Sequence, residues 1–168
     1  SRFDLDRGND ALFGGDGRDY FVAGAGDSVY GGEGGFDYDR LDLSAVPIGG
    51  SITLTGQGTG TASGGGGTLT FAEIEYITGS AYDDVIDGRA DGVGMYYDTG
   101  AGNDTITGGA GADSIKAGTG NDLISGGGGA DQVNGNDGDD TVHGEDGNDT
   151  LNCDAGNDLL YGGTGDDW

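Results

Sequence analysis

From Asp104 to Asp167 an aspartate stands at every ninth residue: Asp104, Asp113, Asp122, Asp131, Asp140, Asp149, Asp158 and Asp167. Two residues after each of the first seven comes an aliphatic side chain: Ile106, Ile115, Ile124, Val133, Val142, Leu151 and Leu160. Whole units read GGAGADSIK (108–116), AGTGNDLIS (117–125) and GEDGNDTLN (144–152). A period kept this strictly is an architecture rather than a compositional bias. It also implies a ligand, because carboxylates stacked in a row repel one another until something neutralises them.

The spacing indicates how the units fold. Glycine in the first half of each unit permits a tight turn with positive φ. The last three residues suit a short strand, whose side chains alternate between two faces. The eighth position is aliphatic and should face inward. Positions seven and nine, mostly Thr, Ser, Asn, Gln, Lys or His, should face out. Two units then make one flattened coil of 18 residues, and stacked coils form two parallel sheets with turns along both edges. Asp104, Asp122, Asp140 and Asp158 fall on one edge; Asp113, Asp131, Asp149 and Asp167 fall on the other. Coils stack about 4.8 Å apart. A hard divalent cation between the carboxylates, completed by turn carbonyls, removes the repulsion. Oxygen-only ligands with adaptable geometry favour Ca²⁺ over Mg²⁺ or Zn²⁺.

The chain has 168 residues, 42 of them Gly, and a net charge of −25 from 6 basic and 31 acidic side chains. That balance argues against nucleic acid and anionic membranes as partners. No apolar run approaches the length of a membrane span. No N-terminal signal peptide is visible, and both ends fall inside repeat-like sequence, so the chain reads as a piece of something longer. The lone Cys153 sits in the first repeat position, a slot for small residues. One buried aliphatic per nine residues does not offset the entropy of ordering those nine. Calcium binding is therefore expected to supply much of the folding free energy.

Three segments follow from the pattern. Residues 1–39 hold less regular repeats, with Asp10, Asp19, Asp27 and Asp37 as their phased acids. Residues 40–78 form a strand-rich insertion, with strands expected at 41–43, 51–55, 68–71 and 74–77 and a loop over the Gly/Ser/Thr run 56–67. Residues 79–168 form the regular roll. It restarts with Asp84 and Ile86, and the aberrant spacer 88–98 puts Met95 where an aspartate is due. No helix is expected at this glycine density.

The nonapeptide resembles the GGxGxDxUx repeat of the RTX (repeats-in-toxin, hemolysin-type) family, strongly over 99–168 and well over 5–39 and 79–87. The resemblance implies an all-β fold, a calcium-stabilised parallel β-roll or right-handed β-solenoid. It implies ions held between turns one coil apart by aspartate side chains and loop carbonyls. Position by position, six sites follow: Asp104/Asp122, Asp113/Asp131, Asp122/Asp140, Asp131/Asp149, Asp140/Asp158 and Asp149/Asp167. Carbonyls of the fourth-position glycines Gly102, Gly111, Gly120, Gly129, Gly138, Gly147, Gly156 and Gly165 complete them. A seventh joins Asp84 to Asp104, and the first block adds Asp10/Asp27 and Asp19/Asp37, for about six to nine ions. The family also implies type I secretion from a Gram-negative bacterium and an extracellular or cell-surface location.

No catalytic centre is legible. His143 is the single histidine, so a two-histidine zinc motif is excluded. No GxSxG nucleophile elbow is present. The segment reads as non-enzymatic, with any catalytic domain elsewhere in the parent protein. The competing class is a calcium-dependent subunit of an extracellular fibre, surface layer or adhesin. Twelve of the 14 aromatics precede residue 98, and Phe13, Tyr20 and Tyr30 occupy outward positions suited to self-association or to other domains.

Overall fold

The computed structural model describes residues 2–4, 9–32, 38–64 and 66–168. In chain order the strands are β1 (Arg2–Asp4), β2 (Ala11–Phe13), β3 (Tyr20–Val22), β4 (Ser28–Tyr30), β5 (Arg40–Asp42), β6 (Ser51–Gly56), β7 (Thr59–Gly64), β8 (Gly67–Ala72), β9 (Tyr76–Thr78), β10 (Val85–Asp87), β11 (Tyr96–Ala101), β12 (Thr105–Thr107), β13 (Ser114–Thr119), β14 (Leu123–Gly128), β15 (Gln132–Asp137), β16 (Thr141–Asp146), β17 (Thr150–Asn152) and β18 (Leu159–Thr164). They form two sheets, and the described residues contain no helix. The eight-stranded sheet runs β1-β3-β5-β9-β11-β13-β15-β17. The ten-stranded sheet runs β18-β16-β14-β12-β10-β6-β7-β8-β4-β2. Successive strands alternate between sheets through the repeats, as a parallel β-solenoid requires. The two pairings of β7, with β6 and with β8, are antiparallel.

The eighth-position side chains make the core. In the eight-stranded sheet the register aligns Phe21, Leu41, Ile77, Tyr97, Ile115, Val133 and Leu151. In the ten-stranded sheet it aligns Ile52, Ile86, Ile106, Ile124, Val142 and Leu160. Most of these are fully buried; Leu151 is half-buried and Leu160 is exposed. The spacer keeps its place in the stack by substitution: Tyr97 fills the aliphatic slot and Met95 the aspartate slot, both buried.

The expected loop over 56–67 is corrected by the structure. Its middle is β7, hydrogen-bonded on both sides. Gln57 and Gly58, at φ 48° and 66°, make the two-residue turn with paired positive φ that joins tight hairpins. Within β7, Gly60 and Ala62 face in, while Thr61 and Ser63 face out. This is strand alternation written in residues too small to register as apolar. A Cβ at Gly60 would collide with the Thr53 carbonyl oxygen of β6 and stand 2.7 Å from the Phe71 ring, so the close approach of the neighbouring backbone and the aromatic ring makes glycine the residue that fits.

Adjacent residues should therefore respond oppositely to truncation. Ile124→Ala, in the core, is expected to cost about 2–5 kcal/mol. Leu123→Ser, on the outer face, should stay within about 0.5 kcal/mol. Denaturant unfolding with calcium present measures both.

Candidate metal centre

Each phased aspartate sits where a turn enters a strand, and one of its oxygens ties that turn to the coil before. The amide of Asp104 donates to Asp122 Oδ1 at 2.7 Å, that of Asp122 to Asp140 at 2.9 Å and that of Asp140 to Asp158 at 3.0 Å. On the other edge Asp113 donates to Asp131 at 2.8 Å, Asp131 to Asp149 at 2.9 Å and Asp149 to Asp167 at 3.0 Å. The six carboxylate pairs expected across the C-terminal coils are brought together. So are Asp84 with Asp104, at 2.8 Å, and Asp10 with Asp27, at 3.1 Å.

The second oxygen is left over. Oδ2 of Asp104, Asp122, Asp131, Asp140 and Asp149 is buried with no hydrogen-bond partner among the described residues. Buried carboxylate oxygens in that state are costly. Burial pushes Asp104, Asp131 and Asp140 above the usual carboxylate range and raises Asp113 and Asp122 to about 6, against backbone hydrogen bonds that pull the other way at all five and, at Asp104, the Thr99 side chain as well. Asp84 differs: its oxygens accept from the Ser80 amide and hydroxyl and from the Gly50 amide.

The first-position glycines hold open a space beside that oxygen. A Cβ on Gly126 would lie 2.5 Å from Asp131 Oδ2 and 2.9 Å from the Gly144 carbonyl one coil on. Gly108 and Gly144 face the same two kinds of atom along that edge, and Gly162 faces Asp167 Oδ2. The opposite edge is partly filled, with Thr99, Ala117 and Cys153 buried in the equivalent slots. Of the fourth-position glycines, Gly102, Gly120, Gly129, Gly138, Gly147 and Gly165 take positive φ between 128° and 146°, whereas Gly111 and Gly156 do not. Among the described residues no three His, Cys, Asp or Glu side chains converge on one point. An ion here must complete its shell from carbonyls, and the carbonyl-lined gaps beside orphaned carboxylate oxygens fit a hard, oxygen-seeking cation.

A model of the RTX calcium-binding nonapeptide repeat matches four stretches, residues 4–30, 70–91, 98–133 and 134–168, which together make up most of the chain. The chain belongs to the RTX calcium-binding repeat family. RTX repeats bind Ca²⁺ and are typical of secreted bacterial proteins. No curated protein sequence matches the chain at a significant level.

Several residues around the RTX rows were not anticipated. Asp37 lies outside the described residues; the carboxylate that receives the Asp19 amide, at 2.7 Å, is Asp39. The signal was present, because Leu41 follows Asp39 by two residues and no aliphatic follows Asp37 so. Glu75 continues that row, accepting from the Asp39 amide at 2.9 Å, and Ile77 marks it in the same way. Asp91 serves another purpose. It accepts from the amides of Gln57, Gly58 and Val93 and so clamps the β6–β7 turn onto the spacer. A second ladder runs the opposite way at the fifth position: Asn121 donates to Asn103, Asp139 to Asn121 and Asn157 to Asp139 through backbone amides. His143 stacks on Tyr161 at 4.7 Å, and burial pushes the Cys153 thiol up to about 11, keeping it protonated.

The raised carboxylates set a pH dependence. An unfolded aspartate titrates near ~3.9, whereas Asp113 and Asp122 in the roll titrate near 6. Through that window the unfolded chain releases protons that the folded one keeps, so calcium-free stability falls as pH rises and is lowest above the folded pKa. Far-UV circular dichroism in calcium-free buffer should show β signal growing as pH is lowered from 7 to 4.5. A flat profile contradicts this account.

Proposed function

We propose that this chain is a calcium-responsive folding segment of a larger secreted bacterial protein, exported by a type I system in a calcium-poor, unfolded state and made rigid outside the cell. The observation that carries the reading is the double row of buried, half-satisfied carboxylates. In calcium-poor cytoplasm those like charges oppose compaction. Calcium, when bound, supplies the positive charge that offsets them. The C-terminal pairs from Asp104 to Asp167 are the primary ligands, and the all-glycine edge bearing Asp131 and Asp149 is the best formed. Asp10/Asp27 and Asp84/Asp104 extend the rows, Asp39 takes the place expected of Asp37, and the loop carbonyls of the glycine turns complete about six to nine sites. The segment itself does no chemistry; a catalytic domain belongs elsewhere in the parent.

Calcium titration followed by far-UV circular dichroism and sedimentation velocity tests this reading. A disorder-to-β transition in a monomer is expected. The same β spectrum with and without calcium rejects it. Asp131→Asn keeps an acceptor for the Asp113 amide but removes one charge. It should lower the calcium stoichiometry seen by calorimetry and move the folding midpoint to higher calcium by about tenfold, the equivalent of ~1.4 kcal/mol.

A second reading, a structural subunit of a fibre, surface layer or adhesin, is favoured by one feature. Phe13 and Tyr30 stack in parallel at 5.0 Å on the outer face of the ten-stranded sheet and stay 65% and 43% exposed. If that pair is an interface, calcium should drive concentration-dependent oligomers, and Phe13→Ser with Tyr30→Ser should abolish them. Oligomers unchanged by the double substitution exclude this face.

A further inference from the structure

Along the outer face of the eight-stranded sheet the seventh-position residues form a column. The register places Tyr20, Arg40, Tyr76, Tyr96, Ser114 and Gln132 side by side. The Arg40 guanidinium lies over both neighbouring rings, 5.4 Å from Tyr20 and 4.6 Å from Tyr76. Tyr76 and Tyr96 stack at 5.7 Å with 2° between their planes. The column of flat groups stops at Tyr96, because the next two rungs, Ser114 and Gln132, carry no ring.

The adjoining turn is hollow over the same coils. On the opposite edge the fifth position carries Asn103, Asn121 and Asp139, whose side chains fill the ladder. Here it carries Gly94, Ala112 and Ala130. Tyr38 closes the end, edge-on to Tyr96 at 5.7 Å and backed by the Arg18 guanidinium. Its backbone is held at φ 63°, a strained setting for a bulky residue. Together these residues line an open groove of about 460 Å³, within the size range of small-molecule sites.

The chemistry of the lining selects the occupant. Both rings are about 40% exposed. The hydroxyls of Tyr38, Tyr96 and Ser114 and the amide of Gln132 have no side-chain hydrogen bond among the described residues. A hydrocarbon ligand would leave those four groups unpaired. An anion would meet the field of a chain whose net charge of −25 about six to nine divalent ions reduce but do not cancel. A cation would find no exposed carboxylate in the lining, since Asp113, its one charged residue among those described, is buried. What fits is a neutral, hydroxyl-rich molecule with a C–H face to lie on the electron-rich ring face. We propose that this groove binds a neutral oligosaccharide, one sugar ring continuing the column beyond Tyr96 with its hydroxyls bonded to Ser114 and Gln132.

Isothermal titration of the calcium-loaded full chain with cellohexaose, maltohexaose and chitohexaose, and with polygalacturonate as the anionic comparison, tests the proposal. Two variants accompany it. Tyr96→Ala removes the platform. Ala112→Asn fills the hollow with the residue that the opposite edge already carries at this position, so the turn should fold. Binding of at least one neutral hexasaccharide, weakened about tenfold by either variant in samples with unchanged circular dichroism, is the expected result. No binding of any of the three, binding that neither variant weakens, or tighter binding of polygalacturonate overturns it. The groove borders the Asp113/Asp131 pair only through the buried Asp113 and takes its ligand contacts from Tyr38, Tyr96, Ser114 and Gln132, so a chain that folds without calcium refutes the folding reading and leaves this one standing.

Discussion

The fold depends on one arrangement repeated down each edge: a buried aspartate whose Oδ1 accepts the backbone amide of the aspartate one coil back. That bond holds neighbouring turns in register and satisfies donors that a buried turn would otherwise strand. It also brings carboxylates together in a low-dielectric wall with the other oxygen unpaired, as at Asp122, Asp131 and Asp149. The same interaction that aligns the coils therefore creates the demand for positive charge. Structure and ligand requirement are two consequences of one geometry.

The remaining elements accommodate that geometry. First-position glycines along one edge leave room beside Oδ2, where a methyl group would collide with both the carboxylate and the next carbonyl. The thin core keeps coils from sliding, with one eighth-position side chain per coil in each sheet. Where the repeat lapses, substitutes hold the stack together. Met95 and Tyr97 fill the spacer coil, Asp91 clamps the hairpin turn, and β6, β7 and β8 widen the ten-stranded sheet between Asp27 and Asp84. That hairpin interrupts the carboxylate row on its edge, because its strands bring Gly50 and Leu69, rather than acids, beside the neighbouring coils.

The two edges differ, and the difference separates their roles. One edge is stitched twice, by the aspartates and by the Asn103–Asn121–Asp139–Asn157 ladder. The other has the open glycine slots beside its carboxylates and, over three coils, no fifth-position side chain larger than methyl. The features that invite a cation and those that open a surface groove lie on this less stitched edge.

The nine-residue period, the inward eighth position, the edge on which each aspartate lies and the family were legible in the sequence, because a strict period leaves one way to stack coils with aliphatics inside. Legibility failed where the period failed. Asp37 lies nearer the nine-residue spacing than Asp39, although the aliphatic Leu41 two residues on marks Asp39 as the acid that precedes the strand. The strand β7 was hidden because Gly60 and Ala62 alternate with Thr and Ser without an apolar signal. The partners of Asp91 and the aromatic column from Tyr20 to Tyr96 join residues from coils of unequal length, so no count along the chain brings them together. Local repetition is set by sequence, whereas contacts across irregular coils depend on how many residues each loop takes up before returning to the stack, and only the folded chain decides that.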